Sequence, residues 1–299
     1  MQADLAGWLD VLGCPYCQGA LRLADDGGLR CQACDERFPL TGDGLPALVR
    51  QEDAAPLAAF GREYREARLR EGRRPLTPEQ ALNLPYGTPP GYPRLYWEVR
   101  RQTYETLVDW LARAGAVPED GVVADLGAGT GWLAHRLARA GYRAVAVEAS
   151  AEADFGLGAA AVYRPRSEGR LLPVLGNLES PPLRRAAFSL VLFNASLHYA
   201  RDLDRTLARA AAALRPGGWL AVLDTPVARH PRPGTGRGDR HLGREELERA
   251  LRGAGLHPRW IAVRRGPRWW MHRVKAVVRG DAGFGFPMAV GEKRGERGE

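Results

Sequence analysis

Cys14, Cys17, Cys31 and Cys34 are the only cysteines in the 299-residue chain. They fall as two Cys-x2-Cys pairs with thirteen residues between them. Two such pairs on tight turns converge on one tetrahedral ion, and zinc suits four sulfurs best. Iron on four thiolates and a pair of disulfides are the alternatives. Pro15 stiffens the first turn. Residues 19–23 and 28–31 read as short strands around Asp25-Asp26-Gly27-Gly28, which makes a zinc ribbon. A closed four-cysteine site leaves no position open for substrate, so these residues are expected as structural ligands. A second constellation lies at residues 122–148. An apolar strand over 122–126 is followed by Gly127, Gly129 and Gly131, a helix over about 130–140, and a strand over 143–148 ending in Glu148. Glycines at alternate positions let the backbone turn sharply and approach a ligand closely. An acid at the end of the second strand can accept both hydroxyls of a ribose.

The elements around these residues follow from pattern. Residues 1–50 are expected as the ribbon, and residues 51–94 as a helical and irregular connector. The connector holds a helix over about 53–74, then prolines at 75, 78, 85, 89, 90 and 93 that break regular structure. Its aromatic residues suit packing or a lid. Residues 94–114 carry apolar side chains at helical spacing. A domain over 95–280 continues with a third strand over 171–178, a fourth from Phe188 into the loop Asn194-Ala-Ser-Leu-His-Tyr199, and a helix over 202–214. Arg215-Pro-Gly-Gly then turns into a fifth strand, and a further helix covers 243–254. Residues 260–263 and 273–278 read as a terminal hairpin, and 281–299 as a flexible tail. The fold class is α/β, a Rossmann-like seven-stranded, mostly parallel sheet with a small N-terminal ribbon.

Asp125-x-Gly127-x-Gly129-x-Gly131 resembles the first motif of class I S-adenosylmethionine-dependent methyltransferases, and the later turns fall in that family's order. The resemblance covers about residues 95–280. It implies that Asp125, Gly127, Ala128, Gly129 and Gly131 cradle the methionine half of S-adenosylmethionine. It further implies that Glu148 holds the ribose, Asn177 and Leu178 the adenine, and that Asn194 lines the site. The pattern differs from the G-x-G-x-x-G of dinucleotide folds, and Asp125 suits an ammonium better than a pyrophosphate. Residues 5–50, with Cys14-Pro-x-Cys17, Phe38-Pro39-Leu40 and Gly44-Leu45-Pro46, resemble the small zinc-ribbon activators of tRNA and translation-factor methyltransferases and related short bacterial proteins.

Methyl transfer needs chiefly a held geometry, so a base is optional. His198, after the fourth strand, is the candidate base for a hydroxyl or amine acceptor. The loop lacks N/D-P-P-Y/F, which disfavours methylation of exocyclic base amines, and no cysteine is left for covalent pyrimidine chemistry. The net charge is +8, yet residues 1–50 carry −3 and residues 226–280 carry +10. Arg259, Arg264, Arg265, Arg268, Arg273 and Lys275 interleave with Trp260, Trp269 and Trp270, and residues 229–241 read as a basic flexible loop. Such a surface grips RNA, or an acidic or lipid-like small molecule. A small-molecule acceptor is slightly favoured over rRNA or tRNA, and a protein partner through the ribbon is a further expectation. The rival readings are a non-catalytic methyltransferase-fold scaffold and an NAD-dependent oxidoreductase. With 45% hydrophobic and 26% charged residues the chain is neither disordered nor fibrous. No apolar run is long enough to span a membrane. The N-terminus lacks a secretory pattern, so the expected compartment is the cytoplasm.

Overall fold

Residues 5–231, 240–278 and 284–294 are described by the computed structural model. A one-turn helix, Leu5–Trp8, leads into the ribbon, where β1 (Leu21–Leu23), β2 (Leu29–Cys31) and β3 (Arg37–Phe38) pair antiparallel. The Asp26 carboxylate accepts the Gly28 amide at 3.0 Å and closes the β1–β2 turn. A segment of fifty residues buries little core of its own. This ribbon shares one: Leu12, Leu21, Leu29 and Phe38 are contiguous with Val174 and Leu183 of the larger domain. β4 (Ala47–Leu48) completes the join by pairing parallel with the main sheet, Ala47 opposite Leu175.

The connector begins with α1 (Gln51–Arg70). α2 (Pro78–Asn83) follows, with Thr77 and Gln80 forming a reciprocal cap. α3 (Arg94–Ala114) ends at Gly115 in the left-handed conformation. Its buried residues Val99, Thr103, Leu107 and Leu111 recur every four positions and form one stripe against the sheet.

The sheet is built from β5 (Val122–Leu126), then α4 (Trp132–Arg139), β6 (Arg143–Glu148), β7 (Leu171–Gly176) and β8 (Phe188–Asn194). α5 (Leu203–Ala213) and β9 (Leu214–Leu223) come next. β10 (Val227–Ala228), β11 (Leu242–Gly243), α6 (Arg244–Gly253), β12 (Leu256–Ile261), α7 (Pro267–Val278), β13 (Phe284–Gly285) and β14 (Met288–Lys293) complete the chain. Strand order is β12-β14-β9-β8-β5-β6-β7-β4. β9, β8, β5, β6, β7 and β4 run parallel to their neighbours, and β14 runs antiparallel between β9 and β12. Seven strands therefore make the expected sheet, and the ribbon contributes an eighth. β6, β7 and β8 are almost wholly buried, as parallel strands covered on both faces must be.

Three expectations at the C-terminus are corrected. Residues 273–278 belong to helix α7, so the hairpin over 260–263 and 273–278 does not form. Residues 281–299 are not a tail throughout, because Met288–Lys293 fills the slot between β9 and β12, with Met288, Ala289 and Val290 buried. The Pro216-Gly217-Gly218 turn lies within the start of β9, where the pairing with β8 shifts register. Of the basic loop over 229–241, residues 232–239 lie outside the described residues. No helix among the described residues is long and apolar enough to cross a membrane.

Candidate functional site

The four cysteines converge. Their sulfurs lie within 4.8 Å of one another, with Cys14–Cys34 and Cys17–Cys34 at 3.6 Å and Cys17–Cys31 at 3.5 Å. Four thiolates at about 2.3 Å from a central zinc are about 3.8 Å apart on tetrahedral geometry, whereas a disulfide needs about 2.05 Å. The set therefore fits a zinc ion. Backbone amides of Gly19 and Ala33 donate to the Cys17 and Cys31 sulfurs at 3.4 Å each, as the turns of a zinc knuckle do.

The glycine-rich turn lies at the carboxyl end of β5, with Gly127, Gly129 and Gly131 all at positive φ. Gly127 is the most constrained. A Cβ there would come within 2.4 Å of the Ser196 Cβ, from the loop after β8. Ser196 locks the approach by donating to the Leu126 carbonyl at 2.5 Å. The Gly127 and Ala128 amides donate to the Val147 carbonyl, so the turn is clamped onto the end of β6. Glu148 closes that end. Its carboxylate accepts the Gly129 amide at 2.8 Å and the Ala149 and Ser150 amides at 2.7 and 3.1 Å. Burial raises its pKa, and the three amides oppose that rise.

A cleft opens above these strand ends. Gly127, Gly129, Glu148, Asn177 and Leu178 line it, and Tyr199 closes it at the β8 loop. Asp125, Ala128, Gly131 and Asn194 do not line it. Asp125 lies beneath the turn, 1% exposed, and neither carboxylate oxygen makes a well-formed hydrogen bond. Burial, then the Glu148 charge, push its pKa up to about 8, against the Ala134 amide and Arg100. Asn177 is turned toward the connector, donating to Asp53 at 3.1 Å while its carbonyl oxygen accepts the Glu179 amide. The sequence reading missed the roof. Leu57, Phe60 and Tyr64 of α1 line the cleft, and Gly61 lets the helix pass so close that a Cβ would meet the Ser150 hydroxyl at 2.8 Å. Arg65 ties α1 down through Asp154 at 2.7 Å.

A family model described as "Methyltransferase domain" matches residues 124–222, which run from β5 to β9 and include the clamped turn and Glu148. Residues 124–222 thus form a methyltransferase domain. Its N-terminal segment also matches curated relatives. A "UPF0434 protein" of Stutzerimonas stutzeri and another of Azotobacter vinelandii are each 44% identical over 45 residues, 15% of this chain and 72% of theirs. The ribbon thus belongs to that family of short proteins. Among solved structures, the fold is similar to the 1,6-didemethyltoxoflavin-N1-methyltransferase of Burkholderia thailandensis. That match has TM-score 0.53 and 19% identity, and covers 92% of this chain and 99% of that one. It is also similar to the geranyl diphosphate C-methyltransferase of Streptomyces coelicolor (TM-score 0.53, 22% identity, 66% of this chain and 77% of that one). A third is phosphoethanolamine N-methyltransferase 2 of Haemonchus contortus (TM-score 0.55, 15% identity, 73% and 58%).

On the far side of the methyltransferase cleft, His198 does not line the wall, although its neighbours Ser196 and Tyr199 do. Its ring packs on Tyr199, with centroids 4.4 Å apart, and its Nδ1 is buried without a partner. Burial, then Arg100 and Arg68, hold its pKa down at about 3, so the imidazole is neutral and a weak base. Several of the C-terminal cations are engaged. Arg259 pairs with Glu292 at 3.0 Å and Arg268 with Glu98 at 2.5 Å, and Arg265 is buried on the Val99 carbonyl at 2.8 Å. Trp260 donates to Glu248 and carries the Arg244 guanidinium on its face at 4.3 Å. Trp269 lines a second, largely apolar cavity together with Tyr96, Val99 and Phe286.

Proposed function

We propose that this methyltransferase acts on a small-molecule acceptor held in the roofed space between α1, α3 and the β8 loop. S-adenosylmethionine supplies an electrophilic methyl on a sulfonium. Asp125 would face its ammonium, the Gly127–Gly131 turn would admit its methionine half against bare backbone, and Glu148 would accept from the ribose hydroxyls. Asn177 and Leu178 would border the adenine. Asn194 would border the site beside Ala195 of the wall. The zinc site would serve the fold rather than the reaction.

The observation that carries the reading is the roof. α1 lies over the cleft through Leu57, Phe60 and Tyr64, a cover that suits a small acceptor better than a folded polynucleotide. Rigid enclosure of this kind supplies the near-attack geometry that methyl transfer chiefly requires. The pairing of Arg259 and Arg268 with acids favours the same side, because an RNA grip needs guanidiniums free to meet phosphates. The acceptors named for the three similar enzymes are all small molecules, and two of those names include a phosphate group. His198 fits a positioning role better than that of a base, and in this reading the acceptor reaches the methyl already nucleophilic.

The test is calorimetric titration of the zinc-loaded protein with S-adenosylmethionine, S-adenosylhomocysteine and NAD. Labelled S-adenosylmethionine is then incubated with a cell extract split into small-molecule and RNA fractions. Micromolar binding of both sulfur ligands, no NAD binding, and label in the small-molecule fraction are expected. Label in the RNA fraction alone would reverse the acceptor assignment, and binding of none of the three would favour a scaffold.

A further inference from the structure

Four guanidiniums crowd the partition between the cofactor cleft and the second cavity. Arg68 and Arg73 share Glu71, with contacts of 2.9 and 2.7 Å. Arg100 and Arg265 both act on Asp224, which accepts the Thr103 hydroxyl at 2.6 Å and lies 3.9 Å from Arg265. Two carboxylates thus face four cations, and no carboxylate makes a salt bridge to Arg100 among the described residues. Arg68 donates to the Tyr199 hydroxyl at 3.1 Å and lies over the Tyr64 ring at 4.4 Å. Arg100 donates to the Tyr96 hydroxyl and lies 4.4 Å from its ring centre. The Nε atoms of both arginines are buried and have no hydrogen-bond partner. His198, which senses both arginines, also keeps an unpartnered Nδ1.

Buried positive charge in excess, with donors left over, is costly unless an anion completes it. The location suggests what completes it. Tyr64 and Tyr199 wall the cofactor cleft, while Tyr96 and Arg100 wall the second cavity of about 280 Å³, whose lining also includes Val99, Asp224, Trp269, Arg273 and Phe286. We propose that the Arg68–Arg100 cluster binds an anionic group, a carboxylate or a phosphate, on an acceptor whose apolar body occupies the second cavity. This rests on the small-molecule reading above and narrows it. A planar guanidinium fork matches either anion. The anion would fix the acceptor beside the methyl without touching the reacting atom.

The test titrates benzoate, phenyl phosphate and the neutral benzamide into protein saturated with S-adenosylhomocysteine, following tryptophan fluorescence. At least one anion is expected to bind about tenfold or more tighter than benzamide, the factor that a charged hydrogen bond supplies. Which anion binds tells carboxylate from phosphate. Arg100→Gln and Arg68→Gln should each remove most of the preference, and Arg100→Lys should keep part of it. Equal binding of all three probes, no binding of either anion, or a preference that survives in both glutamine variants would overturn the proposal. S-adenosylhomocysteine is titrated into every variant as the control for a folded cleft. Failure of the wild type to bind it would refute the methyltransferase reading, while the anion comparison without it would still stand or fall by itself.

Discussion

Asp125 offers the sharpest quantitative test of the cofactor assignment. Its carboxyl is buried, without a well-formed hydrogen bond, and near Glu148, with a pKa of about 8. A ligand ammonium would favour the charged form, so binding must drive off a proton wherever the free protein holds one. With a pKa of about 8, the charged fraction is about one in four at pH 7.5 and about one in a hundred at pH 6. Affinity for S-adenosylhomocysteine should therefore fall about 25-fold between those values, with nearly one proton released per ligand at the lower pH. Calorimetry in two buffers of different ionisation enthalpy reads both quantities. Glu148, also shifted upward, is the other group able to produce such a slope, and Asp125→Asn separates the two. The variant should bind weakly with a flat profile. The stability effect has the opposite sign. A carboxyl whose folded pKa lies above its unfolded value of 3.8 favours the fold fully below about pH 4, and that contribution is lost as pH rises toward 8. Asp125→Asn should accordingly raise Tm at neutral pH while lowering affinity. A flat profile in the wild type, or an unchanged slope in the variant, would refute the reasoning.

Glu148→Ala removes the acceptor for the Gly129, Ala149 and Ser150 amides and the acceptor proposed for the ribose, and should weaken S-adenosylhomocysteine binding by about 1.5–3 kcal/mol in a calorimetric titration. Gly127→Ala forces a Cβ into Ser196 at a φ of +74°. It should abolish measurable cofactor binding and lower stability by roughly 1–3 kcal/mol from backbone strain alone, read from urea unfolding. His198→Ala should leave the shape of the kcat–pH profile between about pH 5 and 8 unchanged, because the imidazole titrates near 3; loss of a titration in that window would restore it as the base. Removal of zinc by a chelator, or Cys14→Ser, should lower Tm for the whole chain, since the ribbon shares the main core; an unchanged transition would mean that the two parts fold independently.

The N-terminal half of the sheet was legible because its signals are local. The run from Val122 to Glu148 carries strand, turn, helix and acid within 27 residues, and each forms as read. Residues 94–114 needed only helical periodicity. The C-terminal elements depend on partners instead. Met288–Lys293 has a short apolar run with no turn chemistry of its own, and becomes a strand only because β9 and β12 leave a slot. For α7, residues 273–278 read as one arm of a hairpin, although Trp269, His272 and Arg273 at i, i+3 and i+4 line one cavity and were the available helical signal. The Arg68–Arg100 cluster was invisible for another reason. Its members come from α1, α3, the β8 loop, the end of β9 and the segment between β12 and α7, and no spacing in one chain joins five remote segments.

β4 has a consequence beyond architecture. An outermost parallel strand presents a row of unpaired amides and carbonyls, which is a template for a second molecule's strand. Here Ala47 and Leu48 lie along β7 and cover part of that row, and they are delivered there by the metal-bound ribbon. Zinc bound in the ribbon would therefore act at a distance as a guard against polymerisation. A chain synthesised without zinc would be expected to self-associate through the bared margin of its sheet, visible as light scattering that zinc added before folding prevents.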